Sequence, residues 1–505
     1  MKVLTLNPPF LPKFSREQRS PAVTKSGTLY YPMWLSYATG VLEEDGFDVK
    51  LVDAPAQGQG IQDIMQFVKY FGPDLVVLDT STPSIHNDVK VAARLKEILP
   101  SCITTLVGPH VSALPEETLK LDPAINVIAR GEYDYTVRDL ARAVERGRDF
   151  DQVEGISFRR NGHVLRTPDR PHIDDLDKLP LVSRVYHKHL NVRDYFYAIC
   201  QYPEVTIITG RGCPHRCTYC VYPQVFQGRR YRARSAENVV DEFQYIAENF
   251  PFVKEVFIED DTFTVDRRRC RQICEMLIEA KNKISWTANA RADVDLETLR
   301  MMKAAGCRLL CVGVESGNQS ILNNIKKGLS LKRITKFFED AKKAGVLVHG
   351  CFLVGNRGEN RRTLEETLDF SKALNPDTAQ FFPLMVYPGT EAYNWAKGEN
   401  LILTEDFSKW VTEEGLHNCV VELPGLSNAD LVAFCDRARR EFYLRPKYFI
   451  SKSMQVLRHP SELKRTAKSM KTFFKYLLRG TFPEAESSCA CPQAKPGANV
   501  GEACH

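Results

Sequence analysis

The first 150 residues alternate short apolar runs with longer segments of helical apolar spacing. The runs predict buried strands, and the longer segments predict amphipathic helices. The predicted strands are 3–6, 49–52, 75–78, 104–107 and 127–129. The predicted helices include 33–44, 61–70, 88–98 and 116–120. Alternation of this kind indicates an α/β domain with a doubly wound parallel sheet.

The same alternation returns between residues 205 and 386. The predicted strands are 205–209, 255–259, 285–288, 309–314, 346–354 and 379–386. The predicted helices include 238–249, 267–281, 296–304, 331–344 and 364–374. These six strand–helix units are fewer than the eight that close a complete barrel. Polar residues at the ends of these strands are candidates for a functional site.

The segments around these two regions have a different character. A hairpin is predicted around Asn161-Gly162, and the proline- and aspartate-containing stretch 168–180 is typical of a linker. After residue 390 the barrel pattern stops, and helices and loops are expected. The predicted divisions are 1–150 for the first sheet, 151–194 for hairpin and linker, 195–390 for the barrel, 391–483 for a helical region and 484–505 for a disordered tail.

Composition and charge narrow the class of protein. A length of 505 residues suggests two or three domains, and 43% hydrophobic residues allow a large core. The net charge of +5, from 68 basic and 63 acidic residues, gives no sign of nucleic-acid binding. The first seven residues predict a strand rather than a signal peptide, and no apolar run approaches the roughly 18 residues expected of a membrane-spanning helix. The 15 cysteines are scattered, which favours a reducing compartment. We therefore expect a cytoplasmic protein.

Three cysteines form the most specific chemical motif of the chain. Cys213, Cys217 and Cys220 follow the predicted strand 205–209 with the spacing C-x3-C-x2-C. A structural zinc site needs four protein ligands, whereas three thiolates on a four-iron cluster leave one iron open to a small molecule. His215 would complete a Cys3His zinc set, but its place between the first two cysteines is cramped. An electron-carrier cluster would normally have a fourth cysteine.

The motif and its flanks resemble the radical S-adenosylmethionine superfamily. Tyr219 precedes the last cysteine, as in that signature, and the flanking Gly-Arg-Gly-Cys-Pro at 210–214 is similar to the cobalamin-associated branch. The resemblance implies a partial (β/α)6 barrel whose [4Fe-4S] cluster is held by the three cysteines. The open iron would bind S-adenosylmethionine, and one electron would cleave it to a 5'-deoxyadenosyl radical. It also implies an external electron donor such as flavodoxin or ferredoxin.

Loops after the first five strands resemble a cobalamin-binding domain. They are small, hydroxylated and rich in glycine and proline, and the resemblance implies that they contact the corrin and its nucleotide tail. The candidate cofactor-binding residues are Ser81, Thr82, Ser84 and Gly108. The D-x-H-x-x-G motif that supplies a cobalt ligand elsewhere is absent, and His86 and His110 are better explained as hydrogen-bonding or solvated residues. A dinucleotide site lacks its G-x-G-x-x-G motif, and a sheet that binds nothing is the other alternative.

Polar residues after the barrel strands are candidates for binding S-adenosylmethionine. Glu259-Asp260-Asp261 would be costly to bury without a cation, and the resemblance places the amino group of S-adenosylmethionine at Asp260 and Asp261. A solvated acidic turn is the alternative. Arg291 would pair with the methionine carboxylate or the substrate, and Glu315 resembles an element that binds the ribose and the methionine moiety. Asn356 and Arg357 depart from the family's adenine-binding turn.

The remaining cysteines and the carboxyl-terminal part give weaker signals. Cys307, Cys311 and Cys351 lie in apolar strand contexts and are predicted to be core residues. Segment 445–479 has ten basic residues against one acidic residue, with interleaved apolar side chains. Such a helix either packs on the barrel or contacts an anionic membrane surface. The cysteines of the tail have no spacing typical of a metal site.

The functional expectation is a cobalamin-dependent radical enzyme that methylates an unactivated carbon or phosphorus in a small-molecule or lipid substrate. Radical cyclisation or rearrangement without methyl transfer is the first alternative, and an iron–sulfur electron carrier is the second. A methylthiolating enzyme is disfavoured because its second cluster needs three cysteines in the amino-terminal part, where only Cys102 precedes Cys200.

Overall fold

Two parallel sheets follow one another along the chain, as the two alternating patterns predict. The computed structural model describes residues 1–458. The first sheet has the strand order β2-β1-β3-β4-β5-β6-β7. Its strands are β1 (Lys2–Asn7), β2 (Asp48–Asp53), β3 (Leu75–Asp79), β4 (Ile103–Val107), β5 (Val127–Ala129), β6 (Ile156–Arg160) and β7 (His163–Arg166). The helices that accompany it are α1 (Met33–Glu44), α2 (Ala54–Gln57), α3 (Ile61–Phe71), α4 (Ile85–Ile98), α5 (Pro109–Ala113), α6 (Pro115–Leu121), α7 (Asp134–Glu145) and α8 (Val182–His189).

The first sheet changes direction beside its first strand. β1 pairs in parallel with both β2 and β3, so the chain order reverses at β1. Ligands of open α/β sheets bind at the carboxyl ends of the strands beside such a reversal. The loop after β3, which carries Ser81 and Thr82, lies at this edge. The hairpin β6–β7 turns at Asn161 and Gly162 and joins β5 in an antiparallel arrangement.

The second sheet is a partial barrel of six parallel strands in the order β15-β14-β13-β12-β11-β8. Its strands are β8 (Glu204–Ile207), β11 (Glu255–Ile258), β12 (Ser285–Ala290), β13 (Cys307–Glu315), β14 (Leu347–Val354) and β15 (Thr378–Pro383). A small ladder, β9 (Gly210–Arg211) with β10 (Arg232–Ala233), lies after β8. The edge strands β8 and β15 are not paired to each other, which leaves the concave face open on one side.

The barrel helices begin at side-chain caps, which explains why their predicted starts were nearly correct. A Ser, Asp or Asn before each main helix accepts a hydrogen bond from a backbone N–H of the first turn, and this satisfies a donor that the helix cannot. The helices are α9 (Ala236–Asn249), α10 (Arg267–Glu279), α11 (Leu296–Ala304), α12 (Gln319–Asn324), α13 (Leu331–Ala344) and α14 (Arg361–Leu374). Their caps are Ser235, Asp266, Asp295, Asn318, Ser330 and Asn360.

The carboxyl-terminal part is helical and packs on the barrel edge. It contains α15 (Glu391–Gly398), α16 (Asn428–Tyr443) and α17 (Pro446–Arg458). The Tyr443 hydroxyl accepts a hydrogen bond from the Ala379 N–H and donates one to the Ala379 carbonyl, and these bonds attach α16 to β15. Most of the basic segment 445–479 and the whole tail 484–505 lie outside the described residues. Within residues 1–458, no helix has the length and apolar character needed to cross a membrane.

Candidate functional site

The three cysteines of the motif lie on a loop just beyond β8 and β9. Cys213 and Cys217 are buried, and Cys220 is half-buried. Gly212, directly before the first cysteine, has φ +83°, and a side chain there would collide with the Arg230 carbonyl oxygen. Glycine is therefore required where this loop passes the neighbouring strand segment. The cysteine loop is therefore held close to the segment around Arg230.

The electrostatic surroundings of the thiols favour a positively charged ligand. Burial raises the pKa of the Cys213 and Cys220 thiols, and the negative charge of Asp261 raises both further. Thiolates are the form that binds metal. A cationic iron centre would supply the charge that stabilises them, so the loop fits a cluster held by these cysteines.

The acidic segment after β11 has two different roles in the structure. Asp260 is buried and accepts hydrogen bonds from the Thr209 N–H at 2.6 Å and from the Thr209 hydroxyl at 2.7 Å. These bonds fix the turn that leads from β8 into the cysteine loop. Asp261 lies beside the cysteines, and its Oδ2 is buried without a hydrogen-bond partner among residues 1–458. The unpaired oxygen suits a cationic group of a bound ligand.

Arg19 is the cation that the acidic segment requires, and sequence reasoning missed it. Its guanidinium pairs with Glu259 and lies 3.3 Å from Asp261 Oδ1. It also donates to the carbonyls of Glu259 at 3.1 Å and Asp260 at 3.0 Å. Burial raises the pKa of the Asp261 carboxyl, and Arg19 offsets part of this effect. The need for a cation was visible in the sequence, but its source, 242 residues away from Asp261, was not.

Glu315 lies beneath the cysteine loop and is held by two side chains. Its Oε1 accepts hydrogen bonds from the Tyr219 hydroxyl at 2.8 Å and from Lys327 Nζ at 2.7 Å. Burial acts to lower the pKa of Lys327, but the charges of Glu315 and Cys217 outweigh it and raise that pKa. Glu315 has φ +70°, a strained conformation for a residue with a side chain, and such strain clusters at functional sites. Sequence reasoning did not identify Lys327.

Arg291 is buried beside the same group of residues. Its Nη2 donates to the Lys327 carbonyl at 2.6 Å, and its Nε, which makes no hydrogen bond within the described chain, lies 3.8 Å from Asp293 Oδ2. A buried N–H without a hydrogen bond suits an acceptor such as a carboxylate. Together, Asp261 Oδ2 and Arg291 Nε offer one acceptor and one donor for the amino and carboxylate groups of an amino-acid ligand.

The turn after β14 satisfies only part of its own polar groups. Glu359 Oε2 accepts the N–H groups of Gly355 at 2.5 Å and Asn356 at 2.8 Å, and the Asn356 amide donates to the Leu353 carbonyl at 2.7 Å. The Arg357 guanidinium lies 3.4 Å from Glu399 at the surface. Two further acceptors of the turn, Asn356 Oδ1 and Glu359 Oε1, are buried without a hydrogen-bond partner among residues 1–458.

The predicted cobalamin loops line a cavity between the two sheets. Ser81 and Thr82 contribute one wall, and Val221 and Tyr222, the residues directly after Cys220, contribute another. Ser84 is not part of this lining; its hydroxyl bonds Ser81 Oγ at 2.8 Å and donates to Asp88 at 2.5 Å.

Gly108 allows the loops after β3 and β4 to approach each other closely. It has φ +116°, and a Cβ there would lie 2.5 Å from the Thr80 carbonyl oxygen. The backbone can therefore make this approach only with glycine. The cavity between the sheets is thus formed by the strand ends of the first sheet and by the segment that follows the cysteines.

The two loop histidines have different surroundings. His110 lines the cavity, is 3% exposed and bonds Thr82 Oγ1 through Nδ1 at 3.1 Å. Burial lowers the pKa of His110 to about 3, so its imidazole is neutral at physiological pH. His86 has an exposed side chain and lies 3.9 Å from Asp406. Only His110 faces the cavity that the loops form.

Buried contacts fix the two sheets in one arrangement. Arg232, on β10, pairs with Glu132 from the loop after β5 through two hydrogen bonds of 2.7 and 2.6 Å. Trp34, on α1, packs edge-on against Tyr222 and Phe226, which follow the cysteines. The cavity therefore has walls from both domains.

Comparison with known proteins agrees with this arrangement. Residues 207–371 match the model of the Radical SAM superfamily, and residues 19–141 match that of the B12 binding domain. A structure of the radical S-adenosylmethionine methyltransferase TsrM from Kitasatospora setae, with cobalamin and a [4Fe-4S] cluster bound, aligns with TM-score 0.67 at 17% identity, over 88% of this chain and 89% of that one. This likeness shows the fold.

Three relatives are similar over most of this chain. An uncharacterized methyltransferase of Pyrococcus horikoshii, PH0819, is 32% identical over 84% of this chain and 90% of its own length. An anaerobic magnesium-protoporphyrin IX monomethyl ester cyclase of Rubrivivax gelatinosus is 28% identical over 72% and 65%, respectively. Cytidylyl-2-hydroxyethylphosphonate methyltransferase of Streptomyces wedmorensis is 26% identical over 84% and 89%.

The two groups of predicted residues lie within the two matched regions. The radical SAM match contains the three cysteines, Asp261, Arg291 and Glu315, and the B12 match contains Ser81, Thr82 and Gly108. The cofactors are a [4Fe-4S] cluster, S-adenosylmethionine and cobalamin. The fold class predicted from the sequence is confirmed. The chain belongs to the cobalamin-binding branch of the radical S-adenosylmethionine superfamily.

Proposed function

We propose that this enzyme is a cobalamin-dependent radical methyltransferase that acts on an unactivated carbon or phosphorus of a small-molecule substrate. The observation that carries the proposal is the shared cavity. Ser81 and Thr82 of the cobalamin-type loops face it from one side, and Val221 and Tyr222, which directly follow Cys220, face it from the other. A radical centre and a methyl carrier can serve one substrate only if their sites adjoin.

The bound groups supply the radical and the methyl group, and the protein positions them. Cys213, Cys217 and Cys220 hold the cluster. Asp261 Oδ2 would accept the amino group of S-adenosylmethionine, and Arg291 Nε–H would donate to its carboxylate, because these two buried atoms make no hydrogen bond within the described chain. Asp260 contributes by fixing the turn at Thr209.

Glu315 is the third residue that we propose to contact S-adenosylmethionine. Its pairing with Tyr219 and Lys327 holds the carboxylate below the cysteine loop, where it can accept hydroxyl donors of the ribose. The loops with Ser81, Thr82 and Gly108 contact cobalamin, and Ser84 orders Ser81. His110 is neutral and faces the cavity, so it hydrogen-bonds there without adding charge.

Methyl transfer is supported by two of the three relatives. Both are methyltransferases, one of them uncharacterized, and this chain matches 90% and 89% of their length. One of those methyltransferases acts on a phosphonate, which supports a small-molecule substrate. A lipid substrate, an external flavodoxin or ferredoxin, a cytoplasmic location and membrane contact through 445–479 stay predictions.

The function is tested with the full chain, purified anaerobically and reduced with flavodoxin or dithionite. Bound cobalamin is identified by mass, and S-adenosylmethionine products are quantified. We expect both 5'-deoxyadenosine and S-adenosylhomocysteine, because the first reports radical formation and the second reports methyl transfer. Release of 5'-deoxyadenosine without S-adenosylhomocysteine would contradict methylation and support cyclisation or rearrangement. With a candidate substrate, a mass gain of one methylene separates the same alternatives.

A cysteine variant tests the cluster assignment. Cys217→Ala should abolish 5'-deoxyadenosine formation, because three thiolates are needed to leave a single open iron. The matched control is Cys102→Ala, which removes a buried cysteine of the first domain and should retain the activity. Full cleavage by Cys217→Ala would refute the cluster assignment.

A further inference from the structure

Three side chains outside the cysteine loop converge on the concave face of the barrel. Cys311 of β13 is paired in register with His349 of β14, and Cys351 follows two residues later on the same face. Cys311 packs against a small hydrophobic cluster that includes Leu309 and Phe257. This cluster is separate from the large core of the chain. Both cysteines are half-buried, so the prediction that they are core residues was wrong; Cys307 is buried as predicted.

The distances within this group are those of a metal site. One ligand atom from each of Cys311, His349 and Cys351 lies within 4.8 Å of the others. The two Sγ atoms are 3.8 Å apart. Two thiolates bound to one tetrahedral zinc, with Zn–S bonds of about 2.3 Å, stand about 3.8 Å apart. The thiols are therefore already at the spacing that zinc requires, and too far apart for a disulfide bond.

A second contact orients the histidine. His349 Nδ1 and the Thr378 hydroxyl, on β15, are 2.7 Å apart. Histidines that bind metal are commonly oriented by such a hydrogen bond from the other ring nitrogen. The ring is thereby tied to a third strand, and its position does not depend on the cysteines alone.

We propose that Cys311, His349 and Cys351 bind a zinc ion on the concave face of the barrel. Two sulfur ligands and one nitrogen ligand match the preference of zinc, and binding would release the two thiol protons. Three protein ligands leave a fourth position open, which is the arrangement of catalytic rather than structural zinc sites. The ligand of that position would be water or an oxygen, nitrogen or sulfur atom of the substrate.

The proposed zinc site lies next to the Glu315–Lys327 pair. Cys351 pairs in register with Gly313, and the Glu315 carboxylate folds back so closely over Gly313 that a side chain there would collide with it. Lys327 Nζ would lie 2.8 Å from a Cβ at the same glycine. Glu315 in turn binds Tyr219 of the cysteine loop. A substrate atom bound to the zinc would therefore lie on the concave face, separated from the Glu315–Lys327 pair only by Gly313.

The test measures zinc in the full-length protein with its cluster assembled, purified anaerobically without added chelator. We expect about one zinc per chain by elemental analysis, and two sulfur and one nitrogen ligands at about 2.3 and 2.0 Å by zinc X-ray absorption. C351S and H349Q should each lower the zinc content at least fivefold, while iron stays at about four per chain. The unchanged iron shows that these variants are folded.

A control excludes the cysteines of the carboxyl-terminal tail. The triple variant C489S/C491S/C504S should keep its zinc. Zinc that is lost from this variant but kept by C351S would overturn the proposal, as would wild-type protein without zinc. A Cys311–Cys351 disulfide found by mass spectrometry in the anaerobic protein would overturn it as well. Because the readout is metal content, the result is independent of whether the enzyme transfers methyl groups.

Discussion

Arg211 donates two hydrogen bonds to the carboxylate of Asp134, at 2.7 and 3.1 Å. Arg211 is two residues before Cys213, the first cysteine of the motif, and Asp134 begins α7 in the first domain. Both side chains are almost fully buried, and the guanidinium also lies over the rings of Trp34 and Tyr37. The cysteine loop is therefore attached to the domain that holds cobalamin by a buried, bidentate ion pair.

Asp134→Asn should destabilise the protein strongly. The substitution leaves the buried Arg211 charge without its partner, which typically costs about 3–5 kcal/mol. The measurement is the free energy of unfolding in urea, with iron content as a second readout. Glu97→Gln is the control because it removes an ion pair with Arg94 whose side chains are 63% and 60% exposed, and it should change stability by less than about 0.5 kcal/mol. A loss below about 1 kcal/mol in Asp134→Asn would contradict the structural role of the pair.

Gly212→Ala should prevent assembly of the cluster. The substitution adds a side chain at positive φ and also places it against the Arg230 carbonyl, so the cysteine loop must move. Iron content after anaerobic reconstitution is the measurement. Gly46→Ala is the matched control, since Gly46 has φ +88° but an added Cβ there would meet no atom within 4 Å. It should cost about 1 kcal/mol and keep its iron. Equal iron content in both variants would show that the collision at position 212 does not affect cluster assembly.

Lys327→Met should weaken binding of S-adenosylmethionine while the cluster stays intact. Removing the ammonium leaves the buried Glu315 with Tyr219 alone, and the carboxylate is then no longer held in place. We expect the KM for S-adenosylmethionine to rise about tenfold or more, equivalent to about 1.4 kcal/mol. Lys326→Met removes the neighbouring lysine, which pairs with Glu391 at the surface, and should leave the KM unchanged. An unaltered KM in Lys327→Met would argue against a ligand-positioning role for the Glu315–Lys327 pair.

The protein should lose stability as the solution becomes mildly acidic, because its buried His110 stays neutral in the folded state. Its folded-state pKa of about 3 lies below the ordinary value of 6.5, so the unfolded chain binds a proton that the folded chain excludes. Stability is therefore lost as the pH falls from 6.5 toward 3. Between about pH 7.5 and 5.5, the wild type should lose about 1.4 kcal/mol more than His110→Asn. Urea unfolding at the two pH values measures this difference. His86→Asn, at an exposed histidine, should behave as the wild type; a pH dependence of His110→Asn equal to that of the wild type would refute the effect.

Much of the fold was predictable because its signals are local. The bounds of α1, α11 and α13 agree with the predicted helices, since apolar spacing acts within a few positions along the chain. Asp295 and Ser330 also cap the first turns of α11 and α13. The hairpin at Asn161-Gly162 was also predicted from its turn residues. Its pairing with β5 was not, because a strand edge that accepts another strand leaves no mark in the sequence of that strand.

The candidate site, like the fold, was predictable only where its signals are local. The cysteine spacing is contained in eight residues, 213–220, and this stretch by itself indicated a cluster with an open iron. The partners of the nearby carboxylates were not predictable, because Arg19 reaches Asp261 across 242 residues and Tyr219 reaches Glu315 across 96. Cys311 and Cys351 were misassigned for a related reason, since an apolar strand context does not tell which face of the sheet is covered.

The sequence by itself determined the strand and helix pattern, the order of the two domains and the C-x3-C-x2-C motif. These depend on spacing along the chain, which local geometry converts directly into structure. Only the tertiary structure decided which charges are paired, which polar atoms remain open to a ligand, and that Cys311, His349 and Cys351 meet on one face. Such contacts depend on how separate elements are brought together, and packing of distant segments is not encoded in the spacing of any one of them.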